Sequence, residues 1–138
     1  MRASYVVDAS VVAKLYFLES GSALAQSAVR RADQLIAPDL LFLEMANLAA
    51  NKVRRSICDL DQGRGAVDSL GALLDEVVAA ATLAPRAFEL AVAHGFSAYD
   101  AAYIALAESR KFEVLTADRP LVGLARMAGL GGVVRFLE

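Results

Sequence analysis

The chain has one cysteine, Cys58, and one histidine, His94. Cys58 has no partner for an internal disulfide, and one cysteine with one histidine cannot assemble a Cys/His zinc site. No uninterrupted apolar run approaches the roughly 18 residues that span a bilayer. The N-terminus lacks the basic, apolar, small-residue order of a signal peptide. The expectation is a soluble, cytoplasmic protein with no membrane partner. Internal repeats, linkers and low-complexity segments are also missing, and the polar stretches are too short and scattered for a disordered tail. At 138 residues, 57% hydrophobic and 22% charged, the expectation is one domain over residues 1–138 with a substantial core.

Nor is there an excess of positive charge. Fourteen basic and 16 acidic residues give a net charge of -2, which argues against a protein held on nucleic acid mainly by a broad basic surface. Eleven of the 14 bases are arginine, whose planar fork suits phosphate oxygens. Setting aside the four acids singled out below leaves 14 bases against 12 acids, so the remaining surface is slightly positive.

What is present is a succession of short strand and helix signals. Tyr5, Val6 and Val7 form a β-branched and aromatic run ending at Asp8, after which Val11, Val12, Leu15 and Tyr16 recur at helical spacing. A second helix is expected from Ser20 and Gly21 to about Ala32, then a brief strand at Leu35–Ala37, with Pro38 placed where a helix would start. A long apolar-rich helix should run to about Ser56. A more polar one follows from Asp59 to about Glu76, weakened by Gly63, Gly65 and Gly71. Pro85 should open a helix ending near His94 and Gly95, and Ser97 one running to about Arg110. Phe112–Thr116 reads as a buried strand, Asp118 caps a short helix, and Gly131 and Gly132 release a last strand through Val133, Val134 and Phe136. Strands separated by helices imply a three-layer α/β domain with a mostly parallel central sheet.

In such a sheet ligands bind beyond the carboxyl ends of the strands, and Asp8 and Asp118 each follow a strand. Each also reads as the cap of the next helix. Glu44 sits among Leu40, Leu41, Phe42, Leu43, Met45 and Ala46, and a carboxylate partly buried there needs a cation, a hydrogen-bond network or a proton. Asn47 and Asn51 extend a polar stripe from it towards Arg54 and Arg55, which lines a groove or is simply a solvated helix face. Asp100 follows Ser97 by three residues, as in a capping box, and precedes the nearly wholly apolar run Ala101–Ala107. Four acids meeting without lysine or histidine would repel one another unless a divalent cation intervened. Mg2+ is the hard, oxygen-seeking candidate and Mn2+ its substitute. An acidic cluster holding such ions can activate water and stabilise a leaving phosphodiester oxygen.

Taken in order, Val7-Asp8-Ala9-Ser10, Glu44 in the helix after Pro38, Tyr99-Asp100-Ala101-Ala102-Tyr103 and Leu115-Thr116-Ala117-Asp118 resemble a PIN domain, and among PIN domains the VapC-type toxins. The resemblance covers essentially the whole chain. It implies an α/β/α domain in which Asp8, Glu44, Asp100 and Asp118 form the catalytic metal site, with Ser10 and Thr116 as hydroxyl supports. It also implies Mg2+-dependent endoribonuclease activity, a homodimer, and a VapB-like antitoxin as partner. Lys14, Asn47, Arg54, Arg55 and Arg119 are the candidates for contact with RNA. His94 reads as a helix C-terminal residue, and Tyr99 and Tyr103 as core packing. Two other readings compete. One is a phosphoaspartyl protein of the receiver or haloacid-dehalogenase type, which would want a second aspartate where Ser10 stands or a lysine ending a late strand. The other is a PIN-like module that binds a partner without cutting RNA.

Overall fold

A computed structural model describes residues 2–138. Strand β1 (Ser4–Val7) leads into α1 (Ala9–Tyr16) and α2 (Ser22–Arg31), and β2 (Gln34–Pro38) into α3 (Leu40–Arg54), α4 (Leu60–Asp68) and α5 (Leu70–Leu73). Strand β3 (Glu76–Val78) is followed by α6 (Ala80–His94) and α7 (Ala98–Arg110), β4 (Glu113–Thr116) by α8 (Arg119–Met127), and β5 (Val134–Phe136) completes the order. The five strands form one sheet in the order β3-β2-β1-β4-β5. Every neighbouring pair is parallel.

Parallel strands need crossovers, and right-handed crossovers place α1 to α5 on one face and α6 to α8 on the other. Contacts of α1 with α2 and α3, of α3 with α4, and of α6 with α7 agree with that three-layer arrangement. Chain direction across the sheet reverses at β1, whose two neighbours are β2 and β4. This is the topological switch point, where the carboxyl ends of β1 and β4 border a crevice.

Helix α7 lies against β1, β2 and β4 with α6 outside it. Its seven consecutive residues Ala101–Ala107 are all buried, which explains a run with no polar face. Alanines at 101, 102, 105 and 107 let the helix lie close to its neighbours, while Ile104 and Leu106 fill the core. The helix is fixed at its start by the Ser97 hydroxyl, which accepts from the Asp100 amide at 3.1 Å.

Three boundaries differ from the sequence reading. Pro38 is the last residue of β2 and α3 begins at Leu40. The stretch expected as one helix from Asp59 to Glu76 is two helices and an edge strand. Leu35 and Asp75 hold β3 in place, the Leu35 amide donating to Asp75 Oδ2 and the Asp75 amide to the Leu35 carbonyl, both at 2.8 Å. Helix α6 opens at Ala80 rather than Pro85. Its first amide is capped by Asp39 Oδ1 at 3.0 Å, from the β2–α3 turn, a tertiary cap that no local pattern announces.

Candidate active site

The site grows from the end of β1. Asp8 is the N-cap of α1, and its Oδ1 accepts from the amides of Ser10 at 3.0 Å and Val11 at 3.3 Å. The Ser10 hydroxyl also donates to Oδ1 at 2.5 Å, and the Thr116 hydroxyl, from the end of β4, donates to Oδ2 at 2.5 Å. Ser10 Oγ and Thr116 Oγ1 stand 3.3 Å apart. The network then ties in the next turn, because Ser10 Oγ accepts from the Ala117 amide at 2.8 Å and Thr116 Oγ1 from the Asp118 amide at 3.0 Å. Of the alternatives the sequence left for Asp8, the cap is seen directly, and the same carboxylate also takes the hydroxyls of Ser10 and Thr116.

Asp8 is 8% exposed. Burial pushes its carboxyl from 3.8 up to about 6, against the opposing pull of the Ser10 and Thr116 hydroxyls and the Val11 and Ser10 amides. No arginine or lysine neutralises it among the ion pairs of the described residues.

Glu44 projects from α3 and is half-buried. The Tyr103 hydroxyl, from the buried run of α7, donates to Glu44 Oε1 at 2.5 Å. Burial raises the Glu44 carboxyl, the Tyr103 hydrogen bond lowers it, and the negative charge of Asp100 raises it again. Asp100, in the first turn of α7, is raised by burial and then by the charge of Asp118, with Ser97 opposing. The Tyr103 phenol is held well above its ordinary range by burial and by Glu44, with Asp8 and Asp100 adding to it, so it remains a donor. Asp118 caps α8, its Oδ1 accepting from the Leu121 amide at 3.3 Å.

Residues 8, 44, 100 and 118, far apart in sequence, therefore lie in one electrostatic neighbourhood at the switch point. Among the described residues no three acidic, histidine or cysteine side chains are already gathered as a chelate. The donor set fits a divalent cation in kind: every side chain is a carboxylate and three of them are raised towards protonation. A hard cation relieves both the repulsion and the burial cost.

The candidate RNA contacts are dispersed. Lys14 borders a cleft beside Ser10. Asn47 is exposed on α3, and Arg54 is hydrogen-bonded to Asn51 Oδ1. Arg55 is exposed just past the end of α3. Arg119 lies over the Phe136 ring at 4.5 Å. His94 closes α6 before the left-handed Gly95, as expected. Tyr103 packs in the core, whereas Tyr99 is 70% exposed, because the buried part of α7 begins only at Ala101. Sequence reasoning gave Tyr103 no part in the site. The available signal was its position three residues after Asp100, which puts both on one side of the same helix.

The PIN-domain family profile matches residues 5–129. Ribonuclease VapC3 of Pyrobaculum aerophilum is 39% identical over 118 residues, covering 84% of this chain and 90% of that protein. Among solved structures, the fold resembles a Pyrobaculum aerophilum protein at a TM-score of 0.73, with 22% identity over 98% of this chain and 84% of the other. It also resembles VapC20 of Mycobacterium tuberculosis, described as a sarcin-ricin loop cleaving toxin, at a TM-score of 0.71, with 19% identity over 88% of this chain and 94% of the other. A chain of a toxin-antitoxin complex from Klebsiella pneumoniae aligns at a TM-score of 0.64, with 16% identity over 86% of this chain and 89% of that one.

Proposed function

The chain belongs to the PIN-domain family, and from that premise we propose that it is a metal-dependent endoribonuclease, the toxin of a VapBC-type pair acting in the cytoplasm. The observation that carries the reading is the nearness of Asp8, Glu44, Asp100 and Asp118 at the switch point, none of them ion-paired among the described residues. The 39% identity to Ribonuclease VapC3 supports RNA as the substrate. Likeness to a chain in a toxin-antitoxin complex supports a VapB-like partner.

Asp8, Glu44, Asp100 and Asp118 would hold Mg2+, or Mn2+ in its place. Such an ion, when bound, supplies an acidified water and charge neutralisation at a phosphodiester. The protein's own part is positional. Ser10 and Thr116 fix both oxygens of Asp8, so its carboxylate cannot rotate freely. Tyr103 restrains Glu44 in the same way from the opposite layer. Ser10 and Thr116 also accept the amides of Ala117 and Asp118, which locks the β4–α8 turn to the β1–α1 turn. Hydrolysis adds water across one phosphodiester bond, leaving a phosphate ester on one side and a hydroxyl on the other, and requires no protein nucleophile.

The test is cleavage of structured and single-stranded RNA by protein freed of any co-purifying partner, in Mg2+, in Mn2+ and in excess EDTA, with Asp8→Asn and Asp100→Asn alongside. Cutting by the wild type in metal alone is the expected result. Equal behaviour of all samples would instead indicate a binding module or a contaminating nuclease. A homodimer, the assembly we propose, is checked by sedimentation of the same preparation.

A further inference from the structure

A cleft of about 380 Å³ shares its wall with the acidic site through Ser10 and Ala117, the residues that flank the Asp8 network. It is also lined by Lys14 from α1, Glu19 from the α1–α2 connection and Lys52 from α3. Glu19 stands between the two lysines, with Oε1 3.4 Å from Lys14 Nζ and Oε2 3.4 Å from Lys52 Nζ. Both lysine side chains are largely shielded, at 17% and 19% exposure. One carboxylate cannot neutralise two ammonium groups. Both separations also exceed the roughly 2.7–2.9 Å of a strong charged hydrogen bond, so donor capacity is left over.

The two lysines are not equivalent. Lys14 Nζ also donates to the Ser20 carbonyl at 2.6 Å, and its stem runs along Gly21, where an added Cβ would lie 3.2 Å from the Lys14 Cδ at a backbone φ of +89°. Lys14 is thus fixed from two sides. Lys52 Nζ has Glu19 and, 5.1 Å from it, the face of Phe17. A π face offsets charge but takes no directed N–H bond as well as an oxygen does. Arg55 adds a further positive group to the same cleft.

We infer that this cleft seats a backbone phosphate of the RNA next to the one placed at the carboxylates, with Lys52 as its principal ligand and Glu19 as the internal counter-ion that holds the lysines in register while the site is empty. The inference rests on the ribonuclease reading for the identity of the polyanion. Uncompensated positive charge, concavity and a wall shared with Asp8's hydrogen-bond partner Ser10 all favour a phosphodiester strand.

The test measures binding rather than cutting. A labelled single-stranded RNA is titrated against the full chain carrying Asp100→Asn, in Mg2+, across a series of salt concentrations. Adding Lys52→Ala should weaken binding severalfold at low salt and reduce the slope of log K against log salt by about 0.7, the loss of one phosphate contact on a single strand. Lys52→Arg should restore the slope, and Glu19→Gln should tighten binding. Thermal melting of each variant separates these effects from misfolding, and if Lys52→Ala unfolds, the two conservative substitutions decide the outcome. An unchanged slope in folded Lys52→Ala, weaker binding by Glu19→Gln, or no RNA binding by the parent would overturn the inference. Preference of the cleft for an acidic peptide over RNA in competition would do the same. Wild-type protein that cuts RNA while Lys52 variants bind normally sinks the cleft alone, whereas salt-dependent binding without cutting sinks the nuclease reading alone.

Discussion

At the scale of single residues the site is governed by what buried carboxylates need. Asp8 keeps its proton to about pH 6 in the folded, metal-free chain but only to about 3.8 when unfolded, so between those values the folded state binds more protons. The contribution of this group to stability in EDTA should therefore be fully present below about pH 4 and be lost as pH rises through 6, by on the order of 3 kcal/mol. Asp8→Asn should flatten that decline and melt higher than wild type at pH 7.5 without metal; denaturant unfolding at several pH values checks it. Tyr103 leads to a second prediction. Tyr103→Phe removes the hydrogen bond that lowers the Glu44 carboxyl, so the acidic limb of the cleavage profile should move to higher pH. Activity should fall about tenfold, the order expected for one hydrogen bond to a charged group. An unmoved limb would make Tyr103 a packing residue only. The acids themselves drew notice because each stood in an apolar or strand-end context. Tyr103 was not, since an aromatic in an apolar helix looks the same whether or not its hydroxyl has a partner.

At the scale of elements, α7 and the strands β1 and β4 were readable from local pattern, because continuous apolar runs bounded by Ser97, Asp8 and Asp118 leave few alternatives. Strand β3 was not. Three residues give no periodicity, and Glu76–Val78 becomes a strand only because β2 offers its edge and Asp75 closes the pairing with Leu35. Arg110, at the end of α7, adds hydrogen bonds to Glu76 at 2.7 and 2.6 Å, again from a distant part of the chain. The α3–α4 pair provides the sharpest test of packing. Gly63 is where these helices approach, and a Cβ there would fall 2.8 Å from Val53 Cγ2. Gly to Ala in a helix ordinarily stabilises by up to about 1 kcal/mol, and Gly65→Ala, with nothing within 4 Å, should do so. Gly63→Ala should instead destabilise, by about 1–3 kcal/mol, because valine is stiff and cannot turn aside. Val53→Ala should relieve much of that penalty in the double variant, as a thermodynamic cycle of urea midpoints would show.

At the scale of the whole molecule, alternating strand and helix signals were sufficient to foresee a parallel sheet, and two aspartates at strand ends pointed to the rim beyond β1 and β4. Strand order was out of reach, yet strand order assembles the site. By setting β1 between β2 and β4, the fold brings Asp8 beside Thr116 and Asp118, and the layers on either face deliver Glu44 and Asp100 to the same rim. A net charge of only -2 thus conceals a concentrated negative site within a surface otherwise slightly positive. Because the ion would bind the folded chain alone, Mg2+ or Mn2+ should raise the melting temperature, by the equivalent of about 2.7 kcal/mol at a hundred times Kd. Whether four carboxylates serve one metal site is answered by calorimetric titration of Mn2+ into the wild type and into Asp8→Asn, Glu44→Gln, Asp100→Asn and Asp118→Asn, each first shown to be folded. Measurable binding by the wild type and weakened binding in all four variants are expected. Wild-type affinity retained in any one of them removes that residue from the site, and no binding by the wild type contradicts a shared metal site altogether.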